Sequence, residues 1–215
     1  MILIVCAMEN EASEIKKVID NIDVEYLTDS KFYYYGTIKE KPVILIVTGI
    51  GKVNAAVFTS LMLAKQKFDY IINLGFAGAL NPYKVGDQVV IKDASYHDVD
   101  LTEISELYEY GQIPEMPHPF LSDFELVRKA TFSLGVSDDS LFTGDRFITQ
   151  KVLPTPGIYD MEGAAIYQAA HIFKTKVVSV KLISDIIESE SQTDDYKDFK
   201  IEAPTILKDM LLKII

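Results

Sequence analysis

The 215-residue sequence contains one cysteine and three histidines, and only 21 Lys and Arg stand against 32 Asp and Glu. The single cysteine, Cys6, excludes an intramolecular disulfide and fits a reducing compartment, so we expect a cytoplasmic protein. The formal net charge is −11 and the basic residues are scattered along the chain. This composition disfavours nucleic acid and anionic membrane surfaces as partners, because both require clustered positive charge.

Long apolar runs are also missing. No window approaches the roughly 18 apolar residues that a membrane-spanning helix requires. The apolar opening "MILIVCAM" has no basic leader and continues into Glu9 and Glu11, so we expect no signal peptide. A hydrophobic content of 48% is enough for one large core, and residues 1–215 are therefore predicted to form a single domain.

What the sequence does contain is an alternation of short apolar runs with segments of helical period. This alternation predicts a three-layer α/β/α sandwich around a mixed central sheet. Two further runs, "FYYYGTI" and "PVILIVTGI", flank the polar turn "KEKP" and predict a hairpin. Strands are predicted at 2–8, 70–75, 87–97, 140–143 and 176–184, and helices at 11–22, 53–66, 123–134, 161–173 and from about 195.

Polar or small residues follow four of these strands, in "AMENE", "TGIGK", "LGFAGAL" and "ISD". Ligands of such folds bind at the carboxyl edge of the sheet, where strands pass into loops. The glycines of "TGIGKVNAA" could let backbone amides approach an anion or a polar ligand, but a tight strand-to-helix turn is the simpler interpretation. Those of "NLGFAGALN" indicate either a turn with positive φ, the favoured reading, or a close approach of the backbone.

Acidic residues form two further candidates. Asp160 and Glu162 precede an alanine-rich helix, where they could serve as N-cap and first-turn acid, or could face one side of an extended segment. In "YHDVD", His97, Asp98 and Asp100 could be proposed as metal ligands. No second histidine stands at ligand spacing, so hydrogen bonding within a loop or an interface role is favoured and no metal is expected.

Taken together, these segments resemble the 5′-methylthioadenosine/S-adenosylhomocysteine nucleosidases of the nucleoside phosphorylase superfamily. Each motif is weak alone, but the ordered set spans nearly the whole chain. The segments, in chain order, are "AMENEASEI", "TGIGKVNAA", "NLGFAGAL", "YHDVD", "YEYGQIP", "TGDRFI", "DMEGAAIY" and "LISD".

The resemblance implies a nucleoside phosphorylase-like fold and a hydrolase that releases adenine without a cofactor, as in methionine salvage. Glu11 falls on the family's water-activating carboxylate, Glu162 on the carboxylate that holds the ribose hydroxyls, and Asp185 on the acid that protonates adenine N7. A carboxyl group at the end of a buried strand can have a pKa high enough to donate a proton near neutrality.

The resemblance also implies the residues that bind the nucleoside. Phe147 matches the aromatic that stacks on adenine, Ile148 the residue whose backbone reads the base edge, and Met161 the residue that packs on the sugar. Tyr196 or Phe199 matches the aromatic beside the 5′-thio substituent. The other expected pocket residues are Met8, Ile50, Phe76, Ala77, Gly78, Lys181 and Ser184.

This chain departs from the family pattern at three places. Phe76 replaces a small hydroxyl residue, which removes a polar contact near the water and sugar and predicts a narrower pocket. Lys181 replaces an arginine, so the charge is kept while the planar fork that braces two carboxylates is lost. The segment between Ile148 and Asp160 is shorter than usual, so the loop geometry of the family is not carried over to it.

The family is dimeric, so a homodimer is expected, with the loop near Ile104, Leu107 and Pro114 entering the neighbour's pocket. That loop carries extra residues here. Two alternatives stay open: phosphorolytic or hydrolytic cleavage of another purine nucleoside, including a futalosine derivative, and a non-catalytic nucleoside-binding protein. Against phosphorolysis, position 73 is Asn and position 76 is Phe, and no phosphate site is visible.

Overall fold

The computed structural model describes residues 1–153, 157–199 and 201–215. Within these ranges the chain forms ten strands and six helices. They are β1 (Ile2–Cys6), α1 (Glu9–Lys16), β2 (Asp20–Thr28), β3 (Lys31–Ile38), β4 (Lys41–Val47), α2 (Lys52–Lys65), β5 (Tyr70–Ala79), β6 (Gln88–Tyr96), β7 (Phe120–Leu121), α3 (Phe124–Leu134), β8 (Asp138–Thr143), β9 (Ile158–Asp160), α4 (Gly163–Ile172), β10 (Lys176–Ile186), α5 (Gln192–Phe199) and α6 (Ala203–Ile214). None of the helices in these ranges is long and apolar enough to cross a membrane.

One mixed sheet contains all ten strands, in the order β10-β6-β8-β9-β5-β1-β4-β3-β2, with β7 beside β6. An additional parallel pairing between β5 and β10 closes the first five strands of this order into a ring. Strand β5 is central, because its first half pairs with β1 and its last residues pair with β9 while β10 runs along its whole length.

Helices cover both faces of this sheet. Helices α2 and α4 pack together on one face, and α1, α3 and α6 pack on the other. Strand β1 shows why both faces must be covered: Leu3 and Val5 enter the core under α2 and α4, while Ile2, Ile4 and Cys6 enter the opposite core. A strand that is apolar on both sides is stable only between two layers. The predicted α/β/α sandwich around a mixed sheet is confirmed.

The predicted helix over 11–22 is wrong in its second half. Helix α1 ends at Lys16, and strand β2 begins at Asp20 and passes through Asn21, whose φ is +52°. Ile22 therefore lies on the sheet and is 42% exposed instead of facing a core. Strand β2 is a mostly exposed edge strand, so it lacks the hydrophobic alternation that would have revealed it.

Two other boundaries differ from expectation. The segment "LGFAGAL" was expected to follow its strand, but β5 continues to Ala79 because β9 and β10 supply pairing partners for its second half. The closing helix from about 195 is two helices, α5 and α6. The hairpin, the helices at 53–66, 123–134 and 161–173, and the remaining predicted strands are confirmed within one to a few residues.

The buried centre of β5 supports a stability prediction. Leu74 is completely buried, and we expect Leu74→Ala to lower the free energy of unfolding by about 2–5 kcal/mol, because it removes apolar contacts and leaves a cavity. The matched control is Leu121→Ala, since Leu121 is 71% exposed and its truncation should change stability by less than about 0.5 kcal/mol. Urea unfolding measures both, and equal losses would contradict this placement of the core.

Candidate active site

A cleft opens where β1, β5 and β10 end and α4 begins. Its walls combine apolar side chains with a few polar groups, as small-molecule sites do. The position also agrees with the rule that ligands bind at the carboxyl ends of the strands. The lining residues are Ala7, Met8, Glu11, Ile50, Phe76, Ala77, Gly78, Arg146, Phe147, Ile148, Tyr159, Asp160, Met161, Glu162, Ser184, Asp185, Ile187 and Tyr196.

Glu11 is held at one end of the cleft by the first turn of α1. Its Oε2 accepts hydrogen bonds from the backbone N–H groups of Ala7 and Met8, each at 2.8 Å, and its Oε1 accepts from the N–H of Phe76 at 2.9 Å. The bond from Met8 is the reciprocal half of a capping box, in which a carboxylate at the third helical position satisfies the N-cap amide. Burial raises the pKa of Glu11, while nearby Lys181 and the three N–H donors act in the opposite direction.

Asp185 also lines the cleft, close to the end of β10. Its side chain is 1% exposed and both oxygens accept hydrogen bonds, Oδ1 from the Ser184 hydroxyl at 2.6 Å and Oδ2 from the Gln192 amide at 2.8 Å. Burial raises the pKa of Asp185, and these two donors oppose the rise. The direction of the shift is the one expected from the sequence.

Two glycines of β5 make room for these carboxyl groups. A Cβ on Gly75 would lie 2.7 Å from Oε1 of Glu11, and a Cβ on Gly78 would lie 2.9 Å from Oδ2 of Asp185. Neither glycine has a positive φ, so the expectation of a positive-φ turn is wrong for this motif. The alternative reading, a close approach of the backbone, is the one that holds. Only glycine, which has a hydrogen atom in place of a side chain, allows the carboxyl groups to approach the backbone this closely.

Lys181 and Asp160 form a buried ion pair at the wall of the cleft. Lys181 Nζ lies 2.8 Å from Asp160 Oδ2, and the two side chains are only 2% and 1% exposed. Asp160 also accepts hydrogen bonds from the Thr143 hydroxyl and from the N–H of Gly163. Burial disfavours the charged form of Lys181, but Asp160 and Glu162 outweigh this effect and its pKa is raised. Lys181 does not line the cleft itself.

Glu162 occupies the N-cap position of α4, where Asp160 had been proposed. Asp160 nevertheless accepts the N–H of Gly163, so its side chain satisfies a free amide at the start of the helix. Glu162 Oε1 accepts the N–H of Gly51 at 2.8 Å. Burial first, and then the charge of Asp160, raise the pKa of Glu162 to about 7, while Lys181 lowers it.

In the other glycine segment, "TGIGK", backbone amides donate hydrogen bonds to carboxylates of the protein itself. Gly51 has a φ of +98°, and its N–H points at Glu162. The next amide, that of Lys52, donates to Asp145 Oδ1 at 2.7 Å. The amino end of α2 thus holds two side-chain carboxylates, and the positive end of the helix dipole favours both.

Aromatic and apolar side chains form the walls of the cleft. The rings of Phe147 and Tyr196 lie 5.5 Å apart at an angle of 59°, and Phe147 is 42% exposed at the mouth. Phe76 lines the cleft and its ring contacts Phe199 edge to face at 6.2 Å. Of the two aromatics proposed for one position, Tyr196 is the one that lines the cleft.

Residues of the "YHDVD" segment and the loop that follows it lie outside the cleft. Asp98 forms an ion pair with Lys52, and His97 is buried against the ring of Tyr159. No cluster of three His, Cys, Asp or Glu suited to a metal exists within 1–153, 157–199 and 201–215. The proposed partner contacts are exposed, Ile104 by 74%, Leu107 by 88%, and Pro114 likewise.

Reasoning from the sequence missed Ala7, Arg146, Tyr159 and Ile187 on the cleft wall and Gln192 behind Asp185. Four of these neighbour predicted residues by one or two positions, so strand-end proximity could have identified them. Gln192 carried no such signal. The shortened loop between Ile148 and Asp160 has no helix or strand before β9 in its described residues, and its residues 154–156 lie outside the described part of the chain.

This chain is similar to proteins of one family in both sequence and structure. A family model described as the phosphorylase superfamily matches residues 1–215. A 5′-methylthioadenosine/S-adenosylhomocysteine nucleosidase of Bacillus pumilus is 35% identical, over 100% of this chain and 97% of that protein. The nucleosidase structure from Colwellia psychrerythraea in complex with adenine matches with a TM-score of 0.92 at 30% identity, over 99% of this chain and 93% of the other. That from Streptococcus pneumoniae with the transition-state inhibitor MT-ImmA matches with a TM-score of 0.91 at 31% identity, covering 99% and 97%.

The buried ion pair leads to a second stability prediction. Lys181→Met removes the cation and leaves Asp160 as an unpaired buried charge, so we expect a loss of about 3–5 kcal/mol in the free energy of unfolding. Lys181→Arg keeps the charge and serves as the matched control, with a smaller loss. Chemical denaturation measures both variants. A Lys181→Met protein as stable as wild type would show that the pair does not stabilise the fold.

Proposed function

The chain belongs to the phosphorylase superfamily, and from that premise we propose that it hydrolyses the N-glycosidic bond of 5′-methylthioadenosine and S-adenosylhomocysteine and releases adenine. The observation that carries the proposal is that Glu11, Glu162 and Asp185 line one cleft. Relatives of known structure bind adenine, which is the proposed product, and the transition-state inhibitor MT-ImmA.

Glu11 is proposed to activate the nucleophile. A water molecule beside its carboxylate would give up a proton to Glu11 as its oxygen bonds to the anomeric carbon of the ribose. The three N–H donors hold the carboxylate in one orientation, so no reorganisation is needed when the sugar gains positive character in an oxocarbenium-like transition state.

Asp185 is proposed to protonate the leaving base. When the glycosidic bond breaks, its electron pair remains on adenine, and a proton from Asp185 to N7 lets the base depart neutral. The raised pKa of Asp185 is what this role requires, because the group must be protonated when the bond breaks. After the reaction Glu11 holds a proton and Asp185 has lost one, and exchange with solvent restores both.

Glu162 is proposed to accept hydrogen bonds from the two ribose hydroxyls. Its Oε1 is already anchored by Gly51, which fixes the carboxylate for a cis-diol. A hydrogen bond to the ionised form of Glu162, which prevails above its pKa of about 7, contributes roughly 1.5–3 kcal/mol. We assign Met161 to packing on the sugar, Phe147 to stacking on adenine and Ile148 to reading the base edge through its backbone.

Water is the favoured nucleophile, because the helix-end amides and the buried lysine that could hold phosphate are committed elsewhere, which leaves Arg146 as the cation on the cleft wall. The amides at the start of α2 donate to Glu162 and Asp145, and Lys181 is paired with Asp160. Phe76 contributes an apolar ring to the cleft instead of a hydroxyl group. A phosphate anion near Glu11 would also be repelled by its charge.

The 5′ substituent is proposed to lie against Met8, Ile50 and Tyr196. These side chains are apolar or amphipathic, and the Tyr196 hydroxyl lies 3.8 Å from the Met8 sulfur, so they suit a thioether. Ile50 is 50% exposed, which leaves this side of the cleft open towards solvent. A methylthio group and a longer homocysteine tail can both be accommodated in this direction.

We further propose a cytoplasmic homodimer that acts in methionine salvage. The exposed apolar side chains of Ile104 and Leu107, together with Pro114, would enter the cleft of the neighbouring copy, and the buried thiol of Cys6 is compatible with a reducing compartment. Analytical ultracentrifugation should give twice the chain mass. A monomer that is stable at micromolar concentration would contradict the dimer.

An adenine-release assay tests the proposed reaction directly. We expect adenine from both 5′-methylthioadenosine and S-adenosylhomocysteine in phosphate-free buffer, with no increase when phosphate is added. Strict phosphate dependence would instead establish a phosphorylase. Turnover of only another purine nucleoside, such as futalosine, would change the substrate. Binding of an adenosine analogue without any turnover would establish a non-catalytic binding protein.

Asp185→Asn tests the proton donor in the same assay. The variant keeps the shape of the side chain but cannot supply the acidic proton, so we expect adenine release to fall by about 10²-fold or more. Circular dichroism should show an intact fold. Ser13→Ala should leave the rate unchanged, because Ser13 does not line the cleft and its hydroxyl donates to the Asn10 carbonyl. Full activity of Asp185→Asn would remove Asp185 from the mechanism.

A further inference from the structure

Gln192 connects two parts of the cleft that are far apart in sequence. Its side chain is buried, with 4% exposure, at the first residue of α5. The same atom, Nε2, donates to Asp185 Oδ2 and to the backbone carbonyl of Ile148, both at 2.8 Å. Gln192 therefore contacts both the group assigned to protonate adenine and the residue assigned to read its edge.

The chemistry of the amide makes this arrangement specific. A glutamine nitrogen carries two N–H hydrogens, and here one points at a carboxylate and the other at a carbonyl. Both partners are acceptors, so only the nitrogen of the amide, and not its oxygen, can occupy this position. Because both hydrogens are used, the side chain is fixed in one orientation.

We propose that Gln192 is a positioning residue for adenine release, which holds the Asp185 carboxyl group and the Ile148 carbonyl in register so that both engage one bound base. The inference rests on the proposed function, because it assumes that adenine lies between these groups. Gln192 is the first residue of α5, and the same helix carries Tyr196 on the cleft wall. The position of this helix and the position of the proton donor Asp185 are therefore coupled.

The hydrogen bond also has an electrostatic consequence that can be measured. Gln192 stabilises the ionised form of Asp185 and so lowers its pKa, against the rise that burial causes. Asp195 on α5 adds to that rise. The other charged or titratable groups that face the cleft or lie beside it are Glu11, Arg146, Tyr159, Asp160, Glu162, Lys181 and Tyr196, and the Gln192 substitutions below leave these groups in place.

The test is Gln192→Met, which keeps the length of the side chain and removes both donors. Misplacement of the acid should lower kcat by about 10- to 100-fold. Without the hydrogen bond the pKa of Asp185 rises, so the loss of activity at high pH should move upward by about one pH unit. The matched control is Thr193→Ala, an exposed neighbour in α5, which should change neither quantity.

An unchanged high-pH limb in Gln192→Met overturns the inference, whatever happens to kcat, because a purely structural role for α5 would lower kcat without moving the pH dependence. If Gln192→Met does not fold, Gln192→Glu replaces it, because an ionised carboxylate also offers no N–H. Its negative charge should move the high-pH loss of activity to a still higher pH. Unchanged behaviour of that variant overturns the inference equally.

Adenine binding, measured by calorimetry, separates this inference from the proposed function. Gln192→Met should bind adenine at least about tenfold more weakly than wild type, since one contact on each side of the base is displaced. If the wild-type protein releases adenine but Gln192→Met binds adenine as tightly as wild type, only the role of Gln192 is overturned. A wild-type protein that neither binds nor releases adenine overturns both proposals.

Discussion

The close approach of two buried carboxyl groups to the backbone of β5 is the constraint on which the site depends. Gly75 lies against Glu11 and Gly78 against Asp185, and the parallel pairing of β5 with β1 and β10 brings both acids to the same edge. Any side chain at these two positions would push the acids away from the cleft. The spacing between the two groups is therefore set by the sheet and not by flexible loops.

Burial of so much charge is tolerated because each group has a partner. Glu11 has three backbone donors, Asp185 has a hydroxyl and an amide, and Asp160 has Lys181. Isolated charges in such surroundings would be neutralised by large pKa shifts. Burial raises the pKa of both Glu11 and Asp185, and the donors around each carboxyl group oppose the rise. The proposed base and acid on either side of one bond need different protonation states.

Much of this could be predicted from the sequence, for physical reasons that differ between elements. The strands and helices of both cores have strong periodic patterns, and Asp185 stands near a strand end, where the topology requires a site. Glu11 lies in the first turn of α1, and its role was inferred from the family resemblance. Strand β2 was missed because an exposed edge strand has no apolar alternation. Gln192 was missed because its role depends on a contact with Ile148, 44 positions away, and no local pattern records it.

The open edge of the sheet has its own consequence. At one side the pairing of β5 with β10 closes a ring, whereas at the other side β2 pairs only with β3 within the described residues. An unpaired strand edge can recruit strands from other molecules and begin aggregation. Asp20, Asp23 and Glu25 place negative charge along β2, so mutual repulsion between copies should keep concentrated protein in solution and deter fibril growth from this edge.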